Sequence, residues 1–409
     1  MAANMGAAAF ALAISMSVSP TAAEPVNYGN YVTESIETEE LSPTEIMIRQ
    51  EPALKAYDEL YSHFEQDKNG NYIYPYNYAG EYIDDNFNLV LLVTDDNIEL
   101  FEYTISMYDC VKIKKVSYSY SELQQVIQNV IDIFGEKEEF VDMLVCSYVD
   151  IINNHAVIEA NENKYKHFQS EYFDLTSILR TNECLSIKLV DYNNDVQTTV
   201  GGGAIISGST GGTVAAGGRD GKKDALLTCG HLFNAAGDNV YLAARNSTGI
   251  TQGSKIGTVK YRTFDNEGYG DFSIVELDNG VDSSSKVLAG STTYTLSGIK
   301  NSVPLNTVLF KYGYKTGISQ VLVTNTNVRV HINADGFNLY VKGITQARLL
   351  SGDSQHGDSG GPYLAYENGN WYLTGIHCGN VLNSNGATTN TVNFTPCGYI
   401  NASFSLKNS

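Results

Sequence analysis

Apolar and polar positions follow two different patterns along the 409 residues, and the change falls near Asp195. Before it, helical and extended spacings alternate. Leu89–Val93 is an unbroken apolar run of strand length. Ser119 and Glu122 form a capping box, and Leu123, Val126, Ile127, Val130, Ile131 and Phe134 follow at the spacing of one helix face. Residues 145–149 and 156–158 read as two strands, joined at Asn153-Asn154, residues that tolerate a left-handed backbone. The stretch 24–195 is therefore expected to be an α+β unit. After it, Gly, Ser, Thr and Asn dominate and short alternating strands begin with 201–206. Turn pairs recur at Gly217-Gly218, Asp220-Gly221, Asn279-Gly280, Asp335-Gly336, Asn368-Gly369 and Asn385-Gly386, which predicts an all-β sandwich or barrel over 196–409. No internal repeat of fixed period is present.

The first 23 residues add a processing signal. An apolar run over 6–18 precedes Pro20, Thr21, Ala22 and Ala23, a small-residue stretch suited to cleavage before Glu24. This predicts export and a secreted product. No other run approaches the length of a membrane span, so no membrane anchor is expected in the mature form.

Composition is that of a globular chain, 43% hydrophobic and 18% charged, and the formal charge of -20 disfavours nucleic acid as a partner. Three cysteines lie in each half, an odd number if the halves separate, so a complete disulfide framework is not indicated. No metal-ligand spacing appears among the Cys and His residues, and neither a metal nor another cofactor is expected.

The chemistry concentrates in the string His356-Gly357-Asp358-Ser359-Gly360-Gly361-Pro362. A serine hydroxyl needs a base within hydrogen-bond reach to act as a nucleophile, and backbone N–H donors must be aimed at the oxyanion that forms. Ser359 is the candidate nucleophile, with Gly357 and Ser359 as the oxyanion donors. For the base, residues 226–231 read as an apolar strand ending in His231. For the orienting carboxylate, Asp271 stands directly before the apolar stretch 272–277, whereas Asp265 and Asp278 lie among turn residues. His331, His356 and His377 keep a structural reading at this point.

Thr228-Cys229-Gly230-His231, Gly270-Asp271-Phe272-Ser273-Ile274-Val275 and Gly357-Asp358-Ser359-Gly360-Gly361-Pro362 occur in the order found in chymotrypsin-type serine proteases, and the chain resembles that family. Lys311-Tyr312-Gly313-Tyr314-Lys315-Thr316-Gly317 is similar to the streptogrisin and alpha-lytic protease branch. Tyr78-Ala79-Gly80-Glu81-Tyr82-Ile83-Asp84 and Tyr148-Val149-Asp150-Ile151 resemble the propeptide of the same branch. The resemblance implies an all-β, two-barrel catalytic domain preceded by an α+β prodomain that aids folding and inhibits. It implies peptide hydrolysis through Ser359, His231 and Asp271, a monomeric enzyme acting on peptide or protein substrates, and an ion pair between Lys311 and Asp358. The branch's disulfide beside the histidine has no counterpart, since no cysteine follows His231; Cys378 and Cys397 remain as a pair that neighbouring strands could join.

Candidates for the primary pocket point opposite ways. Asp353, six residues before Ser359 and next to Ser354, matches the trypsin-like position that accepts Lys or Arg. His377 and Gly379 lie in a segment that resembles glutamyl endopeptidases, which accept an acidic side chain. Basic and acidic preferences stay open. Two rival readings are a protease-fold binding protein or adhesin without turnover, and a metal hydrolase using His356, Asp358 and His377, which lacks ligand spacing.

Overall fold

The computed structural model describes residues 41–67, 72–171, 183–195, 205–207, 210–246, 249–289, 292–334, 337–383, 387–400 and 404–407. The expected export signal at 1–23, the residues 201–204 and the turns Asp335-Gly336 and Asn385-Gly386 lie outside them.

The chain from Ser42 onward forms one unit. It starts with the helix Pro43–Ser62, closed at its N-terminus by a capping box of Ser42 and Glu45, with Pro43 in the first turn where its missing N–H costs nothing. This helix escaped the sequence reading. Tyr78–Ile83, Leu89–Val93 and Val111–Lys115 make a three-stranded sheet. The helix Tyr120–Phe134 carries the capping box foreseen at Ser119 and Glu122. Leu144–Asp150 and His155–Asn161 then form a hairpin whose turn holds Asn154 at φ +54°.

Two larger sheets follow. In the first, eight strands run from Thr210–Gly212 at one edge to Phe404–Leu406 at the other, with Gly249–Thr263, Phe272–Leu277 and Lys223–Thr228 adjacent in its middle. Gly217 and Gly218 belong to the strand Ala216–Asp220 and not to a turn. A Cβ on them would fall 2.4 Å from Ser284 O and 2.2 Å from Ser405 O, so the missing side chains admit neighbouring backbone. The second sheet has thirteen strands and mixes parallel with antiparallel pairs. At its centre Gly317–Ala334 pairs with both Val308–Gly313 and Phe337–Ser351.

The expectation of an all-β, two-barrel catalytic domain preceded by an α+β prodomain is corrected by this topology, because one sheet takes strands from both parts. Among the described residues the eight-stranded sheet has two edge strands, and the thirteen-stranded sheet is a mixed one that is not confined to the catalytic part. It continues from Gly317–Ala334 into Leu144–Asp150, His155–Asn161 and Leu185–Val190, strands assigned from sequence to the prodomain. The reason is an edge: Val308–Gly313 pairs with the long strand only as far as Leu322, and beyond it an N-terminal strand pairs at Arg329↔Ser147 and Val330↔Cys146.

Burial follows the same continuity. Leu54, Leu60, Leu91 and Val149 from the first part share one core cluster with Leu309, Val321, Tyr363 and Phe394 from the second. Each such side chain contributes roughly 1.5–3 kcal/mol on burial, so the two parts are joined as a protein interior is. Polar groups fix the register. The side chain of Gln50, fully buried, donates to Val308 O and accepts from Val308 N–H, both at 2.9 Å. His331 bonds Leu144 O at 2.9 Å and Asn338 Oδ1 at 2.8 Å, the structural role expected of it. Among the described residues no helix is long and apolar enough to cross a membrane.

Candidate active site

Lys223–Thr228 and Phe272–Leu277 pair antiparallel with Thr228 opposite Ser273. The residues after Thr228 and before Phe272 therefore emerge at the same end of the sheet, and His231 meets Asp271 there. His231 Nδ1 lies 2.6 Å from Asp271 Oδ2, while Asp271 Oδ1 accepts the N–H groups of Gly230 at 2.7 Å and His231 at 2.9 Å. Both side chains are sealed from solvent. Thr395 Oγ1 accepts the Asp271 N–H at 2.8 Å, and the Phe264 ring packs 5.7 Å from the imidazole. His231 Nε2 lies 3.6 Å from Cys229 Sγ. Asp265, exposed, pairs with Arg262, and Asp278 with Lys255, so neither approaches the imidazole.

The serine string is sewn to this end of the sheet by one residue that the sequence reading missed, Thr213. Its N–H donates to Ser359 O and its hydroxyl to Gly357 O, each at 2.7 Å, while its own carbonyl accepts from Thr228 Oγ1 at 2.8 Å. Gly360 adopts φ +85°, and a Cβ there would fall 2.1 Å from Thr228 Oγ1. Only glycine lets the segment after Ser359 lie this close to the chain that leads into His231. The N–H of Gly360 donates to His377 O and that of Asp358 to Gln355 O. Among the described residues the N–H groups of Gly357 and Ser359 make no such bond.

Asp358 turns away from the serine into a closed polar nest. Oδ2 accepts from Lys311 Nζ at 2.7 Å, Thr316 Oγ1 at 2.6 Å and Gln355 N–H at 3.1 Å, and Oδ1 accepts from the N–H groups of Lys315 and Thr316, both at 3.1 Å. Lys311 and Asp358 are both fully buried. Burial lowers the Lys311 pKa despite the attraction of Asp358.

The pocket candidates separate in space. Asp353 is exposed, and its carboxylate is occupied locally by the Ser354 N–H at 2.7 Å and the Gln355 side chain. Ser354 and His377 are buried together, Oγ to Nε2 at 3.2 Å, and Tyr363 OH holds the other ring nitrogen at 3.0 Å. Burial, with the charges of Lys311 and His231, pushes the His377 pKa well below its usual value, so the ring is neutral. Gly379 lies on the strand Asn370–Asn383, whose residues Asn380–Asn383 pair antiparallel with Tyr192–Asp195. Tyr363 left no signal in the sequence beyond its place after the serine string.

Cys378 and Cys397 form no disulfide, which corrects the expected pair. Cys378 Sγ lies 3.1 Å from Thr395 Oγ1 instead, a contact across the paired strands that carry them. Among the described residues no three His, Cys, Asp or Glu side chains converge as a metal site.

A search of curated proteins returned no match. Among solved structures, similarity extends to a glutamic-acid-specific serine protease described as using a histidine triad in substrate binding, at 24% identity and a TM-score of 0.40, over 51% of this chain and 99% of that one. A Cellulomonas bogoriensis chymotrypsin is 20% identical with a TM-score of 0.38, over 53% and 100%. Thermobifida fusca protease A is 19% identical with a TM-score of 0.36, over 49% and 92%. A family model described as a Pro-like N-terminal domain matches residues 42–138. The model described as Trypsin matches residues 181–402, more than half of the chain, and with it this protein belongs to the trypsin family and is a serine endopeptidase.

Proposed function

We propose that the chain is the proform of an exported endopeptidase in which Ser359 attacks the peptide carbonyl, His231 takes its proton, and Asp271 orients and stabilises the imidazole. The observation that carries this reading is the sealed Asp271–His231 pair at 2.6 Å, with the Ser359 loop tied through Thr213 to the strand leading into that histidine. The Asp271 bond to Nδ1 leaves Nε2 as the atom that accepts the serine proton and returns it to the leaving amine. The backbone donors of Gly357 and Ser359 face the developing oxyanion and contribute roughly 100-fold to 1000-fold of the rate. Lys311 and Asp358 hold the loop in the shape these donors require.

The preferred residue before the scissile bond is acidic. Asp353 has its carboxylate engaged and exposed, whereas the buried chain from Tyr363 through His377 to Ser354 offers donors to an incoming carboxylate. The strand Tyr192–Asp195 occupies pairing positions on Asn380–Asn383 beyond His377 and Gly379, where an extended substrate would add a strand. Residues 24–195 thus act as a folding aid and inhibitor until cut, and 1–23 direct export.

Digestion of a peptide library with the processed protein tests the reading. Cuts after Glu or Asp are expected, abolished by Ser359→Ala and redirected or weakened by His377→Gln. Cuts confined to Lys or Arg would refute the acidic pocket. Full activity of Ser359→Ala would refute the nucleophile.

A further inference from the structure

A concave site whose lining includes none of the residues of the serine string lies where the N-terminal part meets the trypsin-family part. It is a cavity of about 410 Å³, within the usual range for small-ligand sites. Eight tyrosines line it, among them Tyr61, Tyr74, Tyr78 and Tyr120 from the N-terminal side and Tyr269 and Tyr399 from the other. Among the described residues its lining contains one carboxylate, Glu81, and no Lys, Arg or His. Ile73 and Tyr269, both part of the lining, are exposed, so the cavity communicates with solvent.

Glu81 is 4% exposed, and among the described residues its partners are phenols: Tyr78 OH donates to Oε2 and Tyr61 OH to Oε1 at 3.3 Å. Two hydroxyl donors do not neutralise a carboxylate, so Glu81 when ionised has no counter-charge among the described residues that line the cavity. The rings around it are already fixed against one another. Tyr74 stacks on Tyr78 at 4.9 Å and meets Tyr120 edge-on at 4.9 Å, and Tyr269 stacks on Tyr399 at 5.3 Å. The hydroxyls of Tyr120 and Tyr399 both bond the Asn327 side chain, which ties the two walls together.

We propose that this cavity binds a small organic ammonium ion, held by the Glu81 carboxylate and the surrounding tyrosine rings across the seam between the N-terminal and trypsin-family parts. Electron-rich ring faces attract alkylammonium groups, and the attraction is greatest where water is excluded. A divalent metal is disfavoured, because it requires several oxygen ligands and the lining supplies one carboxylate. An inorganic anion would meet Glu81. Since both parts build the walls, ligand binding stabilises their union, so an ammonium compound in the surroundings would delay release of the N-terminal part after cleavage.

The test uses the full chain carrying Ser359→Ala so that it stays uncut, titrated above pH 7, where Glu81 is mostly ionised, with choline and with its uncharged isostere 3,3-dimethylbutan-1-ol. Binding is followed by calorimetry and by the thermal midpoint. Choline should bind saturably and raise the midpoint, with the isostere at least tenfold weaker. Glu81→Gln should weaken choline at least tenfold while leaving the isostere unchanged. Tyr269→Ala, at a half-exposed ring, should weaken choline several-fold and serves if the Glu81 variant does not fold. Absence of choline binding up to about 10 mM, or equal binding of the isostere, would overturn the proposal.

Discussion

Replacing Lys311 by Met gives a sharp test of how the serine loop is held. The variant keeps the volume of the buried stem and deletes one charge, leaving the Asp358 carboxylate fully buried with four remaining donors: the N–H groups of Lys315, Thr316 and Gln355 and the Thr316 hydroxyl. Removing one partner of a buried ion pair costs about 3–5 kcal/mol. With four donors retained, the loss should lie near the lower end, about 3 kcal/mol, or roughly a hundredfold in the folding equilibrium. The double variant Lys311→Met with Asp358→Asn has no orphaned charge and should recover most of that stability. Turnover should not recover with it, because the loop that carries Gly357 and Ser359 is positioned by the bonds Asp358 accepts as an anion. Urea denaturation of the uncut Ser359→Ala chain supplies the stabilities, and kcat of the processed enzyme supplies the second readout. If Lys311→Met left both the denaturation midpoint and kcat at the parent values, the account of the loop would be wrong. Recovery of full kcat in the double variant would confine the ion pair to stability.

Glu81 gives a pH dependence of opposite sign to that of an ordinary salt-bridged carboxylate. Burial raises its pKa from 4.5 to about 7, so the folded chain keeps a proton that the unfolded chain releases. Stability falls as pH rises between about 4.5 and 7, by roughly 3 kcal/mol from this one group, and levels off above. The difference between the parent and Glu81→Gln, followed by urea denaturation from pH 4.5 to 8, should trace that fall; a constant difference would remove the argument. Gln50→Ala strands both backbone groups of Val308 in a buried site, at about 1–3 kcal/mol for each unsatisfied group. A denaturation midpoint unchanged by Gln50→Ala would show that the Gln50–Val308 bonds add nothing to the hold on the helix Pro43–Ser62.

The sequence by itself determined the local elements and the chemical types. The capping box at Ser119 and Glu122, the apolar run Leu89–Val93 and the Asn153-Asn154 turn are legible because each depends on neighbours within one turn or one strand. His231, Asp271 and Ser359 stand out because their flanking residues are dictated by tight backbone geometry, as at Gly360. Three things depended on the tertiary structure. Thr213, which joins the serine loop to the histidine strand, has nothing in its own neighbourhood to mark it. The environments of Asp353 and His377, one exposed and the other buried between Ser354 and Tyr363, come from the tertiary structure, and adjacent letters do not encode burial. The merging of Leu144–Asp150 with Gly317–Ala334 in one sheet arises because a strand edge pairs with whatever backbone the fold brings to it, and backbone hydrogen bonds carry no signature in side-chain sequence.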